Sequence, residues 1–333
     1  MLPESRKVAA SEVPVVDLGK AWHGTAEERR EVVAQIRKAA ADTGFMYLAN
    51  HGIAQNEIDR VFAASKGFHA LPDEVKEASA LEKNPYYSGW LRSGARGDDF
   101  KGKENTQEAF QFRRATGDGI PWPSQPAGFK EDALRYFELM SQLGYQVLEL
   151  FEEALGVPQD RLAQYFRPTS PEQRETQNLR LLRYKAQAPE SSADKLGARA
   201  HTDSDAITML YQDTTGGLEV RTRSGEWLAI PPIPGTFVLN VGEVLKVWSD
   251  GVFTSSTHRV INRSGAERFS VVFFFDPLYD TVVEPVLKNP DPDSIAPEDL
   301  FTAMPRDKPF VFGDFKLSIT KRIMPTRQEA AAN

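Results

Sequence analysis

The chain has 333 residues, with 40 Lys and Arg against 47 Asp and Glu, for a formal net charge of −7. Hydrophobic residues make up 41%, enough for one large core, and the acidic balance disfavours nucleic acid or an anionic membrane as partner. The absence of cysteine excludes disulfides, thiolate metal sites and a cysteine nucleophile. No run approaches the ~20 apolar residues of a membrane span, and the opening residues lack the apolar stretch of a secretory signal, so a cytoplasmic setting is expected.

In chain order, Val13 to Leu18 is short, apolar and β-branched, as in a first strand. Thr25 with Glu28 three residues on is a capping-box pattern, and Val32, Val33, Ile36, Ala39 and Ala40 then recur at helical spacing. Gly44 suits the end of that helix. Phe45 to Ala49 reads as a strand and Ala54 to Ala70 as a helix stopping near Pro72. Pro85 to Gly128 reads as irregular, aromatic and rich in glycine and basic residues, a composition that often marks functional loops. Phe129 to Leu155 predicts a long amphipathic helix, with Leu134, Phe137, Val147, Phe151 and Leu155 near one stripe and Gly156 ending it.

From Gln177 onward, short strand-like runs alternate with turns, and Ser224-Gly225 marks a tight hairpin between two of them. Many short strands with Gly and Pro punctuation predict a sandwich or jelly roll. The expected fold is mixed α/β (α+β): a double-stranded β-helix core with flanking N-terminal helices, in one catalytic unit over 1–333. No repeat or linker divides it.

The chain holds five histidines. His201 and Asp203 are two residues apart, and on an extended strand such residues share a face. His258 lies farther along at the start of another apolar strand, which a jelly roll brings alongside. A lone His-x-Asp is usually a surface turn. Two imidazoles and one carboxylate on one face of a cation, with the opposite face open, instead describe a non-haem Fe(II) site; catalytic zinc is the rival. Arg268 and Ser270 are again two apart. A guanidinium grips a carboxylate through two parallel hydrogen bonds and a serine hydroxyl adds a third. The residues that follow are Val271, Val272, Phe273, Phe274 and Phe275, and an arginine entering so apolar a strand needs an anionic partner.

With these residues in place, the chain resembles the Fe(II)/2-oxoglutarate-dependent dioxygenases of the isopenicillin N synthase-like family. VPVVDL and GFMYLANHGI, within 10–128, resemble the family's N-terminal region; HTDSDAITML and STHRVINRSGAERFSVVFFFDP, within 177–280, resemble its oxygenase core. The resemblance implies Fe(II) held by His201, Asp203 and His258, and 2-oxoglutarate held by Arg268, Ser270 and Tyr184. It implies O2 as co-substrate, and succinate and CO2 as products when a small molecule is hydroxylated, desaturated or cyclised. Secondary metabolism is the first expectation, amino-acid or nucleobase hydroxylation the second. A 2-oxoglutarate-independent oxidase like isopenicillin N synthase is the alternative within enzymes, and a catalytically dead ligand-binding scaffold the alternative outside them. The sequence departs from the family pattern at Leu182, where an asparagine is usual, and at Lys185-Ala186, Glu243 and Asp250. The resemblance places substrate near the barrel mouth, where Tyr86, Tyr87, Trp90, Phe110, Phe112, Arg113 and Arg114 are candidates, with Phe312 and Phe315 from the C-terminal region. A cavity-facing Arg113 or Arg114 implies an anionic substrate. His51 is expected to serve the fold, and His23 and His69 to be surface or packing residues. The sequence does not set the oligomeric state.

Overall fold

Two sheets enclose an apolar interior in the computed structural model, which describes residues 5–7, 12–83, 87–93, 104–114, 119–187, 195–291 and 308–323. The larger sheet runs, strand beside strand, through Val15–Asp17, Phe45–Ala49, Phe237–Val241, Ile207–Gln212, Arg268–Phe275, Asn178–Tyr184, Gln107–Arg113 and Gly89–Leu91. The smaller runs Arg6–Lys7, Trp227–Ile230, Leu218–Arg221, His258–Val260 and Ala198–His201. Their inner faces meet through residues such as Tyr47, Leu182, Leu210, Leu228 and Val260. This is the expected α+β jelly-roll core.

Helices cover the outer face of the larger sheet. Ala26–Asp42 begins with the predicted capping box, in which Thr25 Oγ1 accepts from Glu28 N and Glu28 accepts from Thr25 N. Gln55–His69 and the 27-residue helix Phe129–Leu155 follow, the latter ended by left-handed Gly156. The long helix lies against the odd-numbered residues of Arg268–Phe275: Phe137 meets Phe273 edge-on at 5.1 Å and Tyr145 meets Phe275 at 5.2 Å. Gly144 permits that approach, because a Cβ there would stand 2.6 Å from the Phe275 ring. Gly225 turns the predicted hairpin with φ 88°, closed by Thr222 N donating to Glu226 O.

Three expectations change. The strand predicted over Val13 to Leu18 is confined to Val15–Asp17, because the Asp17 carboxylate accepts from Gly19 N and caps a short helix, Leu18–His23. Within 85–128, Gly89–Leu91 and Gln107–Arg113 extend the larger sheet at its edge; the polar inward residues of the second strand hide its alternation in the sequence. Leu134 is 37% exposed, and Ala133 faces the core in its place, beside the expected Phe137. His51 is buried against Phe237 and accepts from Ile53 N, and His69 is buried with burial pushing its pKa down to about 4. Gly144→Val is expected to overpack the helix–sheet contact and cost about 1–3 kcal/mol, read as a lowered urea midpoint at unchanged slope.

Candidate metal and cosubstrate site

His201 and His258 stand directly opposite one another on paired strands of the smaller sheet, with ring centroids 4.3 Å apart. Asp203 lies just past the end of the first strand. The strand-face argument for His201 and Asp203 therefore gives the right neighbours for an incomplete reason, since a turn carries the carboxylate. That turn is fixed from the larger sheet: Thr208 Oγ1 donates to Asp203 Oδ2 at 2.6 Å, Asn240 Nδ2 donates to the same oxygen at 2.9 Å, and Glu243 N donates to Asp203 O. His201 Nε2 lies 3.6 Å from Asp203 Oδ1, and His258 Nε2 lies 3.6 Å from Asp203 Oδ2. The other ring nitrogens meet backbone carbonyls, His201 Nδ1 with Arg199 O at 2.7 Å and His258 Nδ1 with Ser256 O at 3.2 Å. Those carbonyls take the Nδ1 protons and leave both Nε2 lone pairs turned inward. Burial opposes the charge on Asp203, but His258 and His201 in their protonated form, together with the Thr208 and Asn240 donors, outweigh it and hold the carboxyl down to about 2. The donor set, two imidazoles and an ionised carboxylate, suits Fe(II). Among the described residues, this trio is the one cluster whose ligand atoms, all within 4.8 Å of one another, fit a metal ion.

Arg268 and Ser270 share the inner face of their strand, as their spacing predicts. Arg268 is 0% exposed. Its Nε donates to Gly216 O at 2.6 Å, one terminal nitrogen to Ser270 Oγ at 3.3 Å and the other to Gln212 Oε1 at 3.1 Å. The Tyr184 ring lies 4.7 Å from the guanidinium carbon, and Tyr184 pairs with Arg268 in register. All three acceptors are neutral, and among the described residues no carboxylate bridges Arg268. A buried guanidinium without an anion is costly, so the residues present fit an anionic ligand such as the end of 2-oxoglutarate. Leu182, in the usual asparagine position, stands beside Ser270 on the inner face.

The substrate candidates divide. Phe110 and Phe112 face the helices, packed on Phe129, Phe137 and Trp122. Trp90 is buried on that same side, its indole N–H donating to Glu108. These three are core, because alternation along Gln107–Arg113 puts even-numbered residues outward. Arg114 pairs with Glu138 of the long helix at the surface. Phe312 is fully buried and Phe315 packs on Phe310. Tyr86 lies outside the described residues. Tyr87 and Arg113 remain beside the barrel interior. Sequence reasoning missed Thr208, Asn240, Gln212 and Gly216, which hold the primary groups.

The geometry is that of a non-haem iron oxygenase with a carboxylate seat. The sequence model of the 2OG-Fe(II) oxygenase superfamily matches residues 176–277, and that of the non-haem dioxygenase in morphine synthesis N-terminal region matches residues 13–130. The chain is 35% identical to a 2-oxoglutarate-dependent dioxygenase of Didymella fabae, across 76% of this chain and 81% of that one. It is 33% identical to a homoarginine-6-hydroxylase of Oryza sativa subsp. japonica, across 78% and 82%. The crystal structure of a full-length Neurospora crassa protein in complex with alpha-KG and thymine superposes with a TM-score of 0.77 at 25% identity, covering 96% of this chain and 97% of that one. The chain belongs to the 2-oxoglutarate- and Fe(II)-dependent dioxygenase family, and the 2-oxoglutarate-independent alternative is set aside.

Asp203→Ala is expected to abolish stoichiometric iron uptake, measured by metal analysis, and with it succinate formation. Full activity in the purified variant with iron still bound would remove Asp203 from the ligand set.

Proposed function

We propose that His201, Asp203 and His258 hold Fe(II), that Arg268, Ser270 and Tyr184 hold the far carboxylate of 2-oxoglutarate, and that the substrate is a small molecule of secondary metabolism. The observation that carries this reading is the buried Arg268, without a carboxylate partner among the described residues, inside the same barrel as the two-histidine, one-carboxylate trio. The net reaction converts substrate C–H, 2-oxoglutarate and O2 into substrate C–OH, succinate and CO2, and the bound iron supplies the oxygen activation. The protein's part is positional. Thr208 and Asn240 keep the carboxylate of Asp203 aimed, the Arg199 and Ser256 carbonyls keep both imidazoles in one tautomer, and Arg268 fixes one end of the cosubstrate so that its other end is presented to the metal. Apolar Leu182, Leu210 and Val272 exclude water around it. Hydroxylation of an amino acid or nucleobase is the second reading, favoured by the similarity to the homoarginine hydroxylase.

The test is succinate release from 2-oxoglutarate across a panel of secondary metabolites, with homoarginine and thymine included. Arg268→Lys loses the planar fork and is expected to raise the KM for 2-oxoglutarate at least about tenfold. An unchanged KM would mean that Arg268 does not bind the cosubstrate.

A further inference from the structure

The segment that delivers the first metal ligand also touches the cosubstrate seat, at Gly197. Tyr184 ends the Asn178–Tyr184 strand, is buried, and holds its ring 4.7 Å from the Arg268 guanidinium carbon. Gly197 stands immediately before the Ala198–His201 strand. A Cβ added to Gly197 would lie 2.6 Å from Tyr184 Cδ1 and 3.1 Å from its Cε1, with Val260 Cγ1 also at 3.1 Å. Side-chain carbons do not approach one another as closely as 2.6 Å. The bare backbone of Gly197 is therefore already packed against one edge of the Tyr184 ring.

Both partners of this contact are held in place. Gly197 N donates at 3.0 Å to the carbonyl of Val260, two residues past His258. Before the glycine, Lys195–Leu196 pairs with Glu104–Asn105, and after it His201 pairs with His258. Tyr184 pairs in register with Arg268 on one neighbouring strand and with Gln107 on the other. Gln107 lies two residues past Asn105, so the segments that carry the ring and the glycine are tied to each other as well as to the sheets. The φ of Gly197 is outside the left-handed region, so glycine is needed here for space and not for backbone conformation. An added methyl group meets ring carbons and not the yielding end of a flexible chain.

We propose that Gly197 is a positioning residue for the 2-oxoglutarate seat. By lacking a side chain, it sets the place of the Tyr184 ring beside Arg268, and so the place at which the far carboxylate is held. It acts through Tyr184 and touches neither metal nor cosubstrate. His201 follows four residues later, so one stretch of backbone bears on both the metal and the carboxylate seat. This rests on the assignment of Arg268, Ser270 and Tyr184 to the cosubstrate above.

The experiment titrates the full protein, loaded with Fe(II) and under argon, with 2-oxoglutarate and with 2-oxopentanoate, which keeps the oxo-acid end and lacks the far carboxylate. Binding is read calorimetrically. Gly197→Ala is expected to weaken 2-oxoglutarate about tenfold and to leave iron uptake and 2-oxopentanoate binding unchanged. Tyr184→Leu removes the ring edge that the methyl group meets, and adding Gly197→Ala to it is expected to cost less than about twofold more. If Gly197→Ala alone does not fold, the double variant is expected to fold and take up iron, because it has room for the methyl group. Unchanged 2-oxoglutarate binding in Gly197→Ala, an equal loss for both acids, a tenfold loss that persists in the Tyr184→Leu background, or failure of both the single and the double variant to fold would overturn the proposal. An unmodified protein that takes up no iron or no 2-oxoglutarate, or an affinity for 2-oxoglutarate unchanged in Tyr184→Leu, would instead strike the earlier assignment, and the proposal with it.

Discussion

In a β-strand, successive side chains point to opposite faces, and the Arg268–Phe275 strand sits between two unlike environments. Arg268, Ser270, Val272 and Phe274 enter the barrel, while Phe269, Val271, Phe273 and Phe275 meet the helix side. A slip of one residue would press the guanidinium into the helix layer and put phenylalanines where Arg268 and Ser270 stand. The outward contacts oppose such a slip: Phe275 stacks on Phe166 at 4.3 Å with the rings 9° apart and fills the notch left by Gly144. The helices therefore set the register that aims the functional face.

The metal trio draws on both sheets. The histidines come from the smaller sheet, and the groups that orient Asp203 come from the larger one. The pairing of His258 with its neighbours is itself secured from beneath. Arg259, next in sequence and on the opposite face, donates to the buried Glu219, which also accepts from Arg263 and Ser5. Glu219 pairs with Arg259 in register, so this charge network clamps the strand that carries a metal ligand. Removing Glu219 or Arg259 would leave a buried charge uncompensated, which costs more than the pair contributes.

What the sequence disclosed follows from distance along the chain. His201 with Asp203, and Arg268 with Ser270, are local pairs whose chemistry is readable without the fold, and the capping box at Thr25 and the glycine stop at 156 are equally local. Arg180 and Lys316 approach the Phe274 ring from segments far apart in the chain, and only closure of the barrel under the C-terminal helix Phe312–Ile323 brings them together. Trp90, Phe110 and Phe112 misled because aromatic content is the same for a core and for a pocket. Parity alone separates them, and polar inward residues such as Gln107 and Gln111 masked it.

Leu182 shows how a departure from a family pattern is absorbed. On the inner face, Ser270 has Leu182 on one side and Gln212 on the other, since both strands pair with Arg268–Phe275 at that position. An amide is thus present beside the serine, but on the Ile207–Gln212 strand, where its Oε1 accepts from Arg268 and its Nε2 donates to Ile230 O. The amide is satisfied at both ends and braces the guanidinium from the side. On the Leu182 side the wall is apolar, through Ala109 and Leu91. A dry wall strengthens every charge-assisted bond made at Arg268 by lowering the local dielectric. Leucine at 182 therefore leaves the bracing of Arg268 by Gly216, Gln212 and Ser270 intact.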